Sequence, residues 1–239
     1  MYLFEKIKKV NCEGIIKALL EIFLHTANID EMKHILKWGI IDGVTTNQKI
    51  FLNEKGVDFK TRIKEICNLM GNKPVSVESN GKTVSEIVND ARDFTKIAKN
   101  VVAKVPMTQD GQGLEALHIL SNEGIKTNVT VMMNFNQLML ATKAGATYVS
   151  LFYNRAKDSG ENAVKIVREI TDWIEHNNYD TKLIVGSIRK PDDVYEAVAA
   201  GAHIMTIPYK ILIQMPFHPK TEETIEEFDK AWNEFISNK

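Results

Sequence analysis

Cysteine is scarce, with only Cys12 and Cys67 among 239 residues. Two cysteines cannot build a disulfide framework, and neither has the CxxC or Cys/His spacing of a zinc site, so no metal is expected and a reducing, cytoplasmic setting is. An excess of charge of either sign is missing too: 30 lysines and arginines balance 31 acids, for a formal charge of -1. Without a basic field, neither nucleic acid nor anionic membrane is an expected partner. Long apolar runs are absent as well. The opening stretch places lysines before apolar residues, as a secretion signal does, but Glu13 and Glu21 interrupt it and no small-residue cleavage site follows. Residues 1–20 therefore read as a short amphipathic helical extension. No other segment approaches the roughly 20 apolar residues of a membrane span, and a soluble chain is expected. Finally, neither GxGxxG nor GxxxxGKS/T occurs, which removes the phosphate-binding turns of the dinucleotide and P-loop folds.

What is present is alternation. Short apolar or β-branched runs recur as EIFLHT (21–26), IIDGVTTN (40–47), PVSVES (74–79), NVVAKVP (100–106), IKTNVTV (125–131), TYVSLF (147–152), KLIVGS (182–187) and HIMTIP (203–208). Between them lie stretches with apolar residues three and four apart, such as 83–100, 113–124 and 161–177, the helical period. Gly124, Gly145 and Gly201 stand where left-handed helix caps would return the chain to the next strand. Pro191 followed by Asp192 and Asp193 marks a helix start, and Thr221 heads a final helical segment. Eight strand–helix units within about 220 residues match a single (β/α)8 barrel over 21–239, the N-terminal extension before it and a C-terminal helix at its end. A doubly wound open sheet is the alternative.

In such a barrel alternate strand residues point inward, and the last inward positions meet the substrate. Polar residues inside apolar strands are therefore informative. Lys104 stands among Val101, Val102, Ala103, Val105 and Pro106. Burial there disfavours the ammonium and supplies the neutral amine that attacks a carbonyl. The alternative is a lysine that snorkels to the rim or pairs with a carboxylate such as Glu78. Glu78 shares a face with Ser76, Asn128 with Thr130, Thr45 with Asn47, and Ser150 with Phe152, by the two-residue period of a strand. If those faces look inward, a lysine, a carboxylate, two amides and several hydroxyls converge on one mouth. Arg155, Arg189 and Ser187 follow the sixth and seventh strands. Two guanidinium forks with a hydroxyl suit a dianion such as a sugar phosphate, although surface ion pairs are the commoner fate of single arginines.

The segments FLHTANIDEM, GVTTN, VSVES, VVAKVPMT, GIKTNVTVMMNFNQ, AGATYVSLFYNR, VGSIRKP and GAHIMTIP together resemble the transaldolase family, including its fructose-6-phosphate aldolase branch, from about Phe23 to the end. The resemblance implies aldol chemistry through a Schiff base on a barrel, without metal or organic cofactor. It implies Lys104 as the Schiff-base lysine, with Glu78 and Thr130 positioning a water. Asn47 and Asn128 would hold substrate hydroxyls, Ser150 the ketose end, and Arg155, Ser187 and Arg189 the phosphate. The aldolase branch typically carries glutamine and tyrosine where Glu78 and Phe152 stand, so this chain sides with transfer rather than release of the dihydroxyacetone unit.

One departure matters. The first strand of relatives ends in a pattern like LDT, whereas this chain has LHT, with His25 in place of aspartate. Histidine titrates near neutral pH and serves as acid or base, so altered chemistry or specificity is expected; a non-catalytic sugar-phosphate binder and a lyase are the alternatives. GVTTNQK also lacks the usual proline after TTN. Small relatives often form pentamers or decamers through the C-terminal helix. Phe228, Trp232 and Phe235 would serve such docking, or pack on their own barrel.

Overall fold

The structure, a computed structural model, describes residues 20–238. The helical extension expected over 1–20 therefore lies outside the described residues except for Leu20, and so does Cys12. Eight strands close into a parallel barrel in chain order, β1 (Glu21–His25), β2 (Gly43–Thr45), β3 (Val75–Glu78), β4 (Val101–Pro106), β5 (Thr127–Met132), β6 (Tyr148–Phe152), β7 (Lys182–Gly186) and β8 (Ile204–Pro208). β8 pairs back onto β1 through Phe23 and Thr206, among others. The (β/α)8 expectation holds, and the open sheet does not.

Helices α1 (Ile29–Leu36), α3 (Phe59–Met70), α4 (Val84–Thr95), α5 (Gln112–Asn122), α6 (Phe135–Lys143), α8 (Ala163–His176) and α9 (Pro191–Ala199) cover the outside. Their buried faces follow the helical period, as Ile166, Val167, Ile170 and Ile174 do on α8. Gly124, Gly145 and Gly201 take φ of 72°, 95° and 100°, the left-handed caps that the sequence marks. Three short helices at the rim, α2 (Gln48–Phe51), α7 (Tyr153–Asp158) and α10 (Tyr209–Leu212), have no counterpart in the sequence reading. A single turn holds too few apolar repeats to show a period.

Two expected boundaries move. The helical stretch over 83–100 stops at Thr95, where Lys96 caps it and a turn leads into β4. The last helix, α11 (Pro219–Ser237), begins at Pro219 with His218 accepting the Lys220 N–H, rather than at Thr221. Proline is favoured at that first position because its missing N–H would be unpaired there anyway. α11 buries none of its residues on its own barrel. Among the described residues no helix is long and apolar enough to cross a membrane.

The barrel interior is layered. Phe23, Ile184 and Ile204 form a buried apolar plug at its lower end, with Tyr148 edge-on to Phe23 at 6.1 Å between ring centroids. Gly43 makes room for that ring, since a Cβ there would lie 2.7 Å from it. Two residues further along the same inward faces come His25, Thr45, Ser150, Gly186 and Thr206, which all line a cavity at the upper end. Strand pleat thus turns one sequence offset into two layers, one apolar and supporting, the other polar and open to a ligand.

Candidate active site

Lys104 is 4% exposed, and its Nζ lies 2.8 Å from Glu78 Oε2 while donating to the Thr46 carbonyl at 3.3 Å. The register accounts for this, since Glu78 and Asn128 are the Cα partners of Lys104 on either side. The amine is therefore not surrounded by apolar groups alone. Its stem runs among valines, and its tip is held by a carboxylate and a carbonyl at the cavity wall.

A buried chain of hydrogen bonds crosses the next strands. The Ser150 hydroxyl donates to Asn128 Oδ1 at 2.7 Å, and Asn128 Nδ2 donates to Ser76 Oγ at 3.1 Å. Such a closed network fixes the Asn128 rotamer at little cost, because each polar group has a partner. Thr130 differs. Its hydroxyl is buried, lines the cavity and has no hydrogen-bond partner among the described residues. An atom arriving in the cavity would supply the missing bond and relieve the roughly 1–3 kcal/mol that an unpaired buried hydroxyl costs. Val131, the next residue, has φ of 63°, a conformation that β-branched residues rarely adopt. β5 slips against β6 here, Val129 pairing with Val149 but Met132 with Leu151, so one extra residue is bulged out beside Thr130.

His25 closes the β1 side. Its Nδ1 lies 3.0 Å from the Thr45 carbonyl and 2.8 Å from Thr45 Oγ1, which in turn lies 2.6 Å from Thr206 Oγ1. A carbonyl oxygen can only accept, so Nδ1 carries the proton and Nε2 presents a lone pair, 3.4 Å from the Asn47 amide nitrogen. Burial, with the nearby Lys104 charge second, pushes the imidazole pKa down to about 3. The expected titration near neutrality is thus corrected: His25 is neutral there. Because the folded value lies below the unfolded one, this stabilisation is full above about pH 6.5 and is lost as pH falls toward 3. The loss is at most about 1.4 kcal/mol per pH unit, less where water in the mouth relieves the burial. Chemical denaturation at pH 7.5, 6 and 5 checks this against His25→Asn. The wild-type protein should lose more stability than the variant with each step down, and parallel losses would refute the assignment.

At the opposite side Phe152, Arg155, Gly186 and Ser187 line the same cavity. The Arg155 guanidinium lies over the Phe152 ring, 5.2 Å from its centroid. Ser187 has φ of 62° and is braced from behind. Asn154 donates to the Ser187 carbonyl and to Asp193, whose carboxylate also accepts the Arg189 and Lys190 N–H groups. Asp193, expected only as a charge near a helix start, is fully buried and organises this loop. Arg189 is not in the cavity wall. Its guanidinium is paired through both terminal nitrogens with Asp158 on the exposed rim.

The family model described as transaldolase/fructose-6-phosphate aldolase matches residues 22–238. The chain belongs to this family. Similar proteins include a probable transaldolase of Caldicellulosiruptor saccharolyticus, 45% identical over 214 residues, covering 89% of this chain and 97% of the relative. Another, from Clostridium kluyveri, is 44% identical over 213 residues with the same coverages. Among solved structures, a thiamine phosphate pyrophosphorylase from Pyrococcus furiosus superposes with a TM-score of 0.58 at 10% identity, over 84% of this chain and 95% of that one. At that identity it shares the barrel fold and nothing further.

The protein is a transaldolase-type transferase, and three residues in or beside the cavity wall escape the sequence reading of site groups. Thr206 lies inside the apolar run HIMTIP and carried the same signal as Lys104, a polar residue where valine or isoleucine would pack. Ser76 is visible only as a neighbour of Glu78 in the alternation, yet it holds Asn128. Lys49 lines the cavity from α2, and a lone lysine in a single-turn helix gives no signal in the sequence.

Proposed function

We propose that the protein transfers a dihydroxyacetone unit from a ketose phosphate to an aldose phosphate through a Schiff base on Lys104. The observation that carries this reading is the 2.8 Å contact between a 4% exposed lysine and Glu78 at the wall of a cavity. Glu78 takes the ammonium proton, the free amine adds to the ketone C2, and loss of water gives the protonated imine. Glu78 and the unpaired Thr130 hydroxyl hold that water as it leaves and returns. As C3–C4 breaks, the electron pair flows into the iminium to give an enamine, and the O4 proton goes to a base at the β1 side. The aldose phosphate so formed leaves, the enamine attacks the acceptor aldehyde while the base returns its proton to the new O4, and addition of water to the imine releases the new ketose and the free amine.

His25 Nε2 suits that base. Burial and the Lys104 charge keep the imidazole neutral with this lone pair free, so it can accept the O4 proton without bringing the negative charge of the aspartate in relatives. Asn47, Asn128 and Ser150 position hydroxyls, with Thr45 fixing the imidazole tautomer. Arg155 and Ser187 hold the phosphate, and Arg189 joins them only by leaving Asp158. Phe152 favours transfer over release, since it has no phenol to protonate the enamine. We further propose a homo-oligomer joined through α11.

Borohydride reduction with fructose 6-phosphate should trap one adduct, on the peptide containing Lys104, read by mass spectrometry. Erythrose 4-phosphate should be converted to a longer ketose, with little free dihydroxyacetone when no acceptor is present. If no adduct forms across a broad panel of sugars, the protein binds sugar phosphates without turning them over.

A further inference from the structure

The cavity beside Lys104 measures about 160 Å³, below the roughly 300–1,000 Å³ usual for a small-molecule site. His25 stands in one of its walls. A second chamber of about 470 Å³ adjoins it there, with His25, Asn47, Lys49 and Pro208 in the walls of both. This chamber lies among the loops after β1, β2 and β8, across the mouth from Arg155.

Its charged walls are Lys49, Lys210, Glu31 and Glu54. Glu54 is already committed, paired with Arg62 and accepting from Asn28. Glu31 accepts from the Thr26 hydroxyl and has no cation partner among the described residues. Neither Lys49 nor Lys210 has a side-chain hydrogen bond or ion pair among the described residues. Two free cations therefore face one carboxylate that lacks a counter-charge, and at the shared wall His25 is neutral where a carboxylate would repel an anion. Cations on the walls of a cleft concentrate anions there, because the field is focused by the low-dielectric surroundings.

We propose that the outer chamber is a second anion subsite, in which Lys49 and Lys210 bind a phosphate or carboxylate on a sugar whose phosphorylated end lies at Arg155 and Ser187. The preferred ligand is then a sugar with an anionic group at each end, and the unit transferred from such a ligand is dihydroxyacetone carrying that second anionic group. This rests on the sugar-phosphate reading of the inner cavity.

Calorimetric titration with three polyols that lack a ketone tests it without turnover: glucitol 6-phosphate, glucitol 1,6-bisphosphate and 6-phosphogluconate. The bisphosphate should bind the wild-type protein about tenfold more tightly than the monophosphate, as a charge-assisted contact would give. The ratio should collapse toward one in Lys49→Gln/Lys210→Gln, whose fold is checked by circular dichroism. A gain with 6-phosphogluconate equal to that of the bisphosphate identifies carboxylate as sufficient, and a gain with the bisphosphate alone identifies phosphate; both support the subsite. Equal binding of all three by the wild-type protein, or a ratio that survives the double substitution, overturns it while leaving the inner site intact. Failure of all three to bind, together with no borohydride adduct at Lys104, overturns both readings.

Discussion

Lys104→Met is expected to lower kcat by about 10^4-fold or more and to abolish the borohydride adduct, because it removes the amine that stands beside Glu78 and Thr130. The same change should also destabilise the fold. Glu78, with its side chain 13% exposed, loses the ammonium 2.8 Å away and is left as a nearly buried charge. Breaking such a pair costs about 3–5 kcal/mol when the remaining charge is fully buried, and Glu78 belongs at the lower end because it retains some solvent. The two effects separate in Lys104→Met/Glu78→Gln. Removing the orphaned charge should restore most of the stability, measured by denaturant unfolding, while turnover stays absent. Substantial turnover in either variant would show that the amine is not the nucleophile. A double variant no more stable than the single would show that the ion pair is not what the lysine contributes to folding.

The second large effect concerns assembly. α11 carries Ile225, Phe228, Trp232, Phe235 and Ile236, between 49% and 69% exposed, at spacings of three and four that place them along one helical face. Trp232 and Phe235 touch each other, with ring centroids 5.7 Å apart. Phe228 and Trp232 are 69% and 61% exposed, which favours docking over packing on their own barrel. Covering a large apolar side chain contributes about 1.5–3 kcal/mol, so a row of five repays the cost of association readily. Phe228→Glu/Trp232→Glu should therefore reduce the native mass from several times 27.1 kDa to about that of one chain, by light scattering. The cavity beside Lys104 lies at the barrel mouth, so monomers should still form the Lys104 adduct. A wild-type protein that is already monomeric at micromolar concentration would remove this assignment.

How far the sequence reaches depends on the kind of signal each residue leaves. Lys104, Asn128, Thr130 and Ser150 are polar residues inside apolar strands, and the two-residue period places them on inward faces before any coordinates are known. Thr206 is equally legible, though it does not stand out beside so many others. Arg189 shows the opposite case. Proximity to a strand end suggests a phosphate ligand, but a long flexible side chain reaches in several directions, and Asp158 from α7 holds it outside the cavity. Lys49 and Lys210 lie 161 positions apart in the chain, and only closure of β8 onto β1 brings their loops together.

The sequence alone determined the eight-stranded barrel, the caps at Gly124, Gly145 and Gly201, and the family, because pleat, helical period and backbone conformation are set by near neighbours. Only the tertiary structure decided that Lys104 is clasped by Glu78, that His25 is neutral with its lone pair toward Asn47, and that an outer chamber adjoins the site. Those properties depend on burial and on distances between strands and loops remote in the chain, and local pattern carries no information about either.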